Sequence, residues 1–216
     1  MLKLTEKYRP RVLSDIIGQD KIVSKVQFRL DRGGFGSRAV IIMGKSGQGK
    51  TSLAWVIGRT LADTANITEF DAVDCTPYRI SEIENAMQIY GMGERNGRVW
   101  IINEFYGMDK QSRTKWLTVL ERIPDHCCVI FTATSTDAQM YFKECGDKGQ
   151  FQSRCMTLEL EKRDIMPVFA QRALEIARFE GLDGQPLEAY QKLVTDKLGN
   201  MRHVLEAIDN GEMLIN

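Results

Sequence analysis

Gly44-Lys45-Ser46-Gly47-Gln48-Gly49-Lys50-Thr51 is the stretch of this 216-residue chain whose residue types and spacing specify chemistry most directly. It matches G-x-x-x-x-G-K-[ST], in which glycines let backbone N–H groups curl around phosphate oxygens. The helix expected from Thr51 presents its positive end to the same anion, and Lys50 is placed to reach the β- and γ-phosphates of a nucleotide. Thr51 offers its hydroxyl to magnesium. The expected phosphate contacts are therefore Gly44, Ser46, Gly47, Gln48, Gly49, Lys50, Thr51 and Ser52.

About fifty residues later the apolar run Val99-Trp100-Ile101-Ile102 ends in Asn103-Glu104. This resembles a Walker B element, whose first polar position is usually an aspartate that helps hold magnesium through its water shell. Asn103 offers an oxygen without charge, so weaker metal binding is the expected cost. Glu104 stands where a carboxylate orients and polarises an attacking water.

These residues need strands to end beside one another and a helix to start in the loop. Strands are expected at Ala39 to Met43, Thr68 to Ala72, Arg98 to Ile102, Cys128 to Ala133 and Met156 to Leu160, the last more exposed because it alternates. Helical spacing runs over Thr51 to Leu61, Ile80 to Tyr90 and Lys110 to Arg122. Alternation of the two types is the pattern of an α/β domain with a mainly parallel sheet. After about Lys162 three helical segments follow without a strand signal, Asp164 to Phe179, Pro186 to Leu198 and Met201 to Met213. Asp164 is the expected first cap, Pro186 suits a first turn, and Gly199-Asn200 separates the last two. The expected organisation is an α/β unit over residues 1–162 and a small three-helix unit over residues 163–216.

Composition narrows the class further. A 43% hydrophobic and 27% charged share is ordinary for a globular chain. No run approaches the eighteen or so apolar residues of a membrane span, and the start lacks a signal-peptide core, so a cytoplasmic protein is expected. The five cysteines show no C-x-x-C pair and the two histidines no zinc spacing, which points to reduced thiols. Lys plus Arg equals Asp plus Glu at 29 each, but residues 1–50 hold eleven basic and four acidic side chains. The positive charge is concentrated where phosphates are expected, which suits a small polyanion better than a broad nucleic-acid coat.

Four ordered motifs together resemble one family. Lys7-Tyr8-Arg9-Pro10 followed by Leu13-Ser14-Asp15-Ile16-Ile17-Gly18-Gln19 is similar to the start of clamp-loader AAA+ subunits, of both the bacterial polymerase III γ/τ and replication factor C small-subunit types. The phosphate loop, Leu120-Glu121-Arg122-Ile123-Pro124 and Gln152-Ser153-Arg154-Cys155 resemble the other three, the last being the Ser-Arg-Cys motif of those subunits.

The resemblance implies an ATPase that uses ATP with Mg2+, the cation being held by Thr51 and Asn103. It implies an adenine pocket formed by Tyr8, Arg9, Pro10, Val12, Ile16, Ile17 and Gly18. Ser135 would be sensor 1, and Arg202 sensor 2, opening the last helix of an all-α lid that closes on nucleotide. Arg154 would be a finger reaching the γ-phosphate bound by a neighbouring subunit, so catalysis would need assembly. Glu104, Arg154, Ser135 and Arg202 are thus the implied catalytic set. The implied partners are other clamp-loader subunits, a sliding clamp and primer–template DNA held through its phosphates, with no membrane, in cytoplasm or nucleoid (the nucleus if eukaryotic). Arg79, Ser81, Lys110, Arg113 and Lys115 are the candidate DNA contacts. The helical collar that follows the lid in such subunits is not expected within residues 1–216, whether the sequence is a piece of a longer protein or a compact variant.

Overall fold

The computed structural model describes residues 2–134, 150–160 and 165–214. Ser135, Cys145, the boundary near Lys162 and the expected cap Asp164 lie outside the described residues.

Five parallel strands form one sheet in the order β2-β3-β4-β1-β5. They are β1 (Arg38–Met43), β2 (Ile67–Asp71), β3 (Arg98–Asn103), β4 (Cys127–Ala133) and β5 (Cys155–Glu159). Every residue of the central β4 is buried, as its unbroken apolar run predicts. β5 alternates because it lies at an edge, and β2 forms the other edge. The strand order makes β1 a neighbour of β4 and of β5, so the loop after β1 emerges between two strand ends.

Successive side chains point to opposite faces, and each face has its own core. On one, Val40, Ile42, Ile101 and Ile130 pack with Ile22 and Val26 of α2 (Asp20–Leu30) and with Leu53 and Ile57 of α3 (Lys50–Leu61). On the other, Ile41, Ile102 and Phe131 pack with Ile80 of α4 (Pro77–Ala86) and Trp116 of α5 (Lys110–Val119). The helix α2 has no counterpart in the sequence reading, since among its eleven residues only Ile22 and Val26 are buried.

The α4 helix starts three residues before the expected Ile80 because Thr76 caps it, accepting from the Arg79 N–H at 3.2 Å, with Pro77 in the first turn. It ends at Ala86, short of the expected Tyr90, and the chain beyond is held back by Asn66 Nδ2 donating to the Met92 carbonyl at 2.7 Å. α5 begins where expected, capped by Asp109, which accepts from the Ser112 N–H at 2.8 Å.

Among the described residues the remaining α-helices are α1 (Leu4–Lys7), α6 (Gln150–Ser153), α7 (Ile165–Glu180), α8 (Leu187–Asp196) and α9 (Met201–Asp209). Pro186 stands at the cap of α8, one position before its first turn. Phe169, Ala173, Tyr190, Val194, Val204 and Ile208 form a third core among α7, α8 and α9. Leu4 is buried in that cluster, and Tyr8 and Ile17 pack on it. The first residues of the chain thus tie the C-terminal helices to the sheet.

Cys75, Cys127, Cys128 and Cys155 are free thiols, and burial pushes Cys127 and Cys155 up to about 12. They are packing residues at neutral pH. Among the described residues no helix is long and apolar enough to cross a membrane.

Candidate nucleotide-binding site

The loop between β1 and α3 is built to expose backbone N–H groups. Gly47 and Gly49 take φ of +73° and +94°, which a side chain would resist. Gln48 folds back, its Oε1 accepting from the Lys45 N–H at 2.7 Å. Lys50 is buried, and its Nζ donates to the carbonyls of Gly44 at 3.2 Å and Lys45 at 3.0 Å, so the ammonium is held inside the curl of the loop.

At the second residue of α3, the Thr51 hydroxyl donates to Asn103 Oδ1 at 3.3 Å, joining the loop to the end of β3. The same oxygen accepts from the Thr132 hydroxyl on β4 at 3.1 Å. Asn103 Nδ2 donates to Glu69 Oε1 on β2 at 2.7 Å. Glu104 follows in a left-handed conformation, φ +54° and ψ +51°, which turns the chain sharply at the strand end. Its carboxylate accepts the Tyr106 hydroxyl proton.

A cleft of about 760 Å³ opens over this strand end. Tyr8, Arg9, Pro10, Ile16 and Ile17 line one side, the loop from Ser46 to Ser52 the floor, and Arg172, Ile176, Met201 and Arg202 of the C-terminal helices the other side. The expected pocket residues therefore converge, except that Val12 is 55% exposed and Gly18 lies against Ile165 outside the lining. Gly44 sits below the floor and contributes its carbonyl to Lys50. Arg202 is exposed at the start of α9, where the Asn200 side chain accepts from the N–H groups of Arg202 and His203 at 3.1 and 3.3 Å. Asn200 also approaches the loop so closely that a Cβ on Gly47 would lie 2.0 Å from its Oδ1.

Tyr8 connects the cleft wall to α7. Its hydroxyl donates to Glu180, and Lys7 Nζ pairs with Glu180 at 2.7 Å. Burial and the Glu180 hydrogen bond push the Tyr8 phenol up to about 12, while the hydrogen bonds from Lys7 and Tyr8 hold Glu180 below the usual carboxylate value.

Arg154 lies away from this cleft, beyond α6. Its Nε donates to Glu121 Oε1 at 2.9 Å and its Nη1 to the Gln150 carbonyl at 2.8 Å. Among the candidate DNA contacts, Lys115 donates to Ser81 across the α4–α5 pair, and Arg79 stacks over the Phe70 ring at 5.2 Å.

Glu69, Tyr106 and Thr132 are not among the expected site residues, while Glu121 enters the sequence only within the Leu120-Glu121-Arg122-Ile123-Pro124 motif and Asn200 only beside Gly199 between two helices. Thr132 has a local cue, a hydroxyl one residue before the end of a fully buried strand, whereas Glu69 is the middle residue of the mixed edge strand β2. Oxygen donors suit Mg2+, and Thr51, Asn103, Glu69, Asp71 and Glu104 place them at this end of the sheet. Among the described residues no group of three His, Cys, Asp or Glu side chains is arranged to hold a metal by itself. The residues fit a cation shared with phosphate oxygens.

No family model matches the sequence. The chain is 23% identical to the DNA polymerase III subunit tau of Escherichia coli over 95% of its own length and 34% of that protein's. It is 25% identical to the replication factor C small subunit of Methanoregula boonei over 97% of its length and 63% of that subunit's. It therefore spans about a third of the first of these relatives. Among solved structures, the Thermotoga maritima RuvB Holliday junction branch migration motor superposes with a TM-score of 0.66 at 19% identity, covering 93% of this chain and 64% of that one. In sequence the chain is thus similar to clamp-loader subunits, and in fold it is similar to the RuvB motor.

Proposed function

We propose that this chain binds ATP with Mg2+ in the cleft and hydrolyses it as a subunit of a sliding-clamp loader in DNA replication. The observation that carries the nucleotide reading is Lys50, buried with its ammonium inside a glycine loop that opens on the cleft. A lysine is stable there only with carbonyl or anionic partners, and phosphate oxygens replace the two carbonyls with stronger, charge-assisted bonds.

The loop N–H groups and Lys50 hold the phosphates, and Thr51 with Asn103 holds the cation, which neutralises charge developing on the transferred phosphoryl group. Glu104, freed from Tyr106, orients and takes the proton of the attacking water. Arg202 and Arg172 bring the C-terminal helices, acting as a lid, onto the nucleotide. Arg154 reaches the phosphates of a neighbouring chain, so an isolated chain turns over slowly.

In this reading the partners are other clamp-loader subunits, the clamp and primer–template DNA, in cytoplasm or nucleoid. Similarity to the tau and replication factor C subunits and the Ser153-Arg154-Cys155 motif support it. The fold likeness to RuvB favours a second reading, a helicase-loading or recombination AAA+ protein, which the Ser-Arg-Cys motif opposes. Asn103 motivates a third, an assembly subunit that hydrolyses little. Pull-down with the host's sliding clamp in a slowly hydrolysed ATP analogue separates the first two, and a DNA-stimulated turnover that collapses in Glu104→Gln would exclude the third. Nucleotide-dependent retention of the clamp is expected, and no retention would contradict the clamp-loader reading.

A further inference from the structure

Asn103 replaces a charge with an amide, and an amide beside a cation is two-faced. Its oxygen attracts a metal and its NH2 group repels one. The Thr51 and Thr132 hydroxyls that meet Asn103 can each donate or accept, so they do not decide which face is presented. Glu69 does, because an ionised carboxylate only accepts. With Glu69 Oε1 at 2.7 Å, the amide nitrogen must face β2 and the oxygen must face Thr51.

The fold holds Glu69 for this task. Glu69 pairs with Ile101 and Asp71 with Asn103 across the β2–β3 ladder, so Glu69 and Asn103 are diagonal neighbours on the face that carries α3. Trp55, one turn beyond Thr51 on α3, donates its indole N–H to Glu69 Oε2, and Arg9 Nη2 stands 3.8 Å from that oxygen. One helix thus carries both the candidate metal ligand and the clamp on the carboxylate.

From this geometry we infer that Glu69 is the positioning residue of the metal site. It locks Asn103 with its oxygen toward Thr51, and it supplies from the neighbouring strand the negative charge that position 103 lacks. The inference rests on the nucleotide reading proposed above.

The test is equilibrium titration of N-methylanthraniloyl-ATP in Mg2+ and in EDTA. The proteins are the wild type, Glu69→Gln and Glu69→Gln/Asn103→Asp, each checked for folding by thermal melting. A glutamine can donate to Asn103 Oδ1 and turn the amide over. The wild type is expected to bind more tightly in Mg2+ than in EDTA. Glu69→Gln should lose about tenfold in Mg2+, the loss typical when a residue supporting a metal ligand is removed, and nothing in EDTA. The double variant should regain the Mg2+ effect, which a merely structural defect would not. Unchanged Mg2+ affinity in Glu69→Gln, an equal loss in EDTA, failure of the double variant to recover, or a wild type indifferent to Mg2+ would overturn the role of Glu69. A wild type that binds in neither condition would instead contradict the nucleotide reading, and this inference with it.

Discussion

The guanidinium of Arg154 is held by Glu121 within the same chain, Nε to Oε1 at 2.9 Å. These are the arginine of the Ser-Arg-Cys motif and the glutamate of Leu120-Glu121-Arg122-Ile123-Pro124. The Glu121 side chain is 55% exposed, and an exposed pair contributes only about 0–1 kcal/mol. A phosphate on a neighbouring chain can therefore win the arginine at small cost. Glu121→Gln is expected to shift the melting midpoint by no more than about 4 °C, checked by calorimetry. Arg154→Ala should keep single-chain nucleotide affinity and lower assembled turnover by roughly 10³-fold or more.

Tyr106 occupies the carboxylate that Glu104 would present to water. Tyr106→Phe keeps the ring and removes that bond, whose net value is about 1 kcal/mol. Turnover is expected to rise about fivefold at unchanged nucleotide affinity, measured by steady-state hydrolysis beside equilibrium binding. A fall in turnover would show that Tyr106 helps to orient Glu104.

Gly47 lies where the loop meets the cap of α9. Gly47→Ala places a Cβ 2.0 Å from Asn200 Oδ1 at a residue with φ +73°. The left-handed conformation costs about 1–2 kcal/mol and disturbing the cap about 1 more. The melting midpoint should fall by roughly 4–10 °C, and nucleotide binding should be lost with it.

The Tyr8–Glu180 link fixes a pH window. Glu180 is held below the ordinary carboxylate value, so its contribution is present above that value and is lost as pH falls through the lowered one. Tyr8 is raised from 10.0 to about 12, so its contribution is present below about 10 and is lost as pH rises toward 12. Melting midpoints of wild type and Tyr8→Phe, measured from pH 4 to 11, should converge in alkali because only the wild type loses this link there.

Much of the site was legible because it is local. The glycine loop, Lys50 and Thr51 are consecutive, and the strand before them and the helix after them are strongly patterned. Asn103 and Glu104 stand out as polar residues closing an apolar run. The residues that complete the site come from strand order, which spacing does not encode. Glu69 acts because β2 lies beside β3, and Thr132 because β4 lies on the other side. Asn200 stands in the sequence only as a separator of two helices, and its approach to Gly47 depends on how the C-terminal helices pack. The helix α2 went unread for a related reason, since two buried residues in eleven leave little periodicity.

Lys50 governs the nucleotide site proposed for the cleft. Calorimetric titration of a slowly hydrolysed ATP analogue with Mg2+ tests it most directly, comparing wild type with Lys50→Ala. Saturable binding at one site per chain is expected, weakened about hundredfold or more when the charge-assisted contacts of Lys50 are removed. No saturable binding by the wild type, or equal binding by Lys50→Ala, would contradict it.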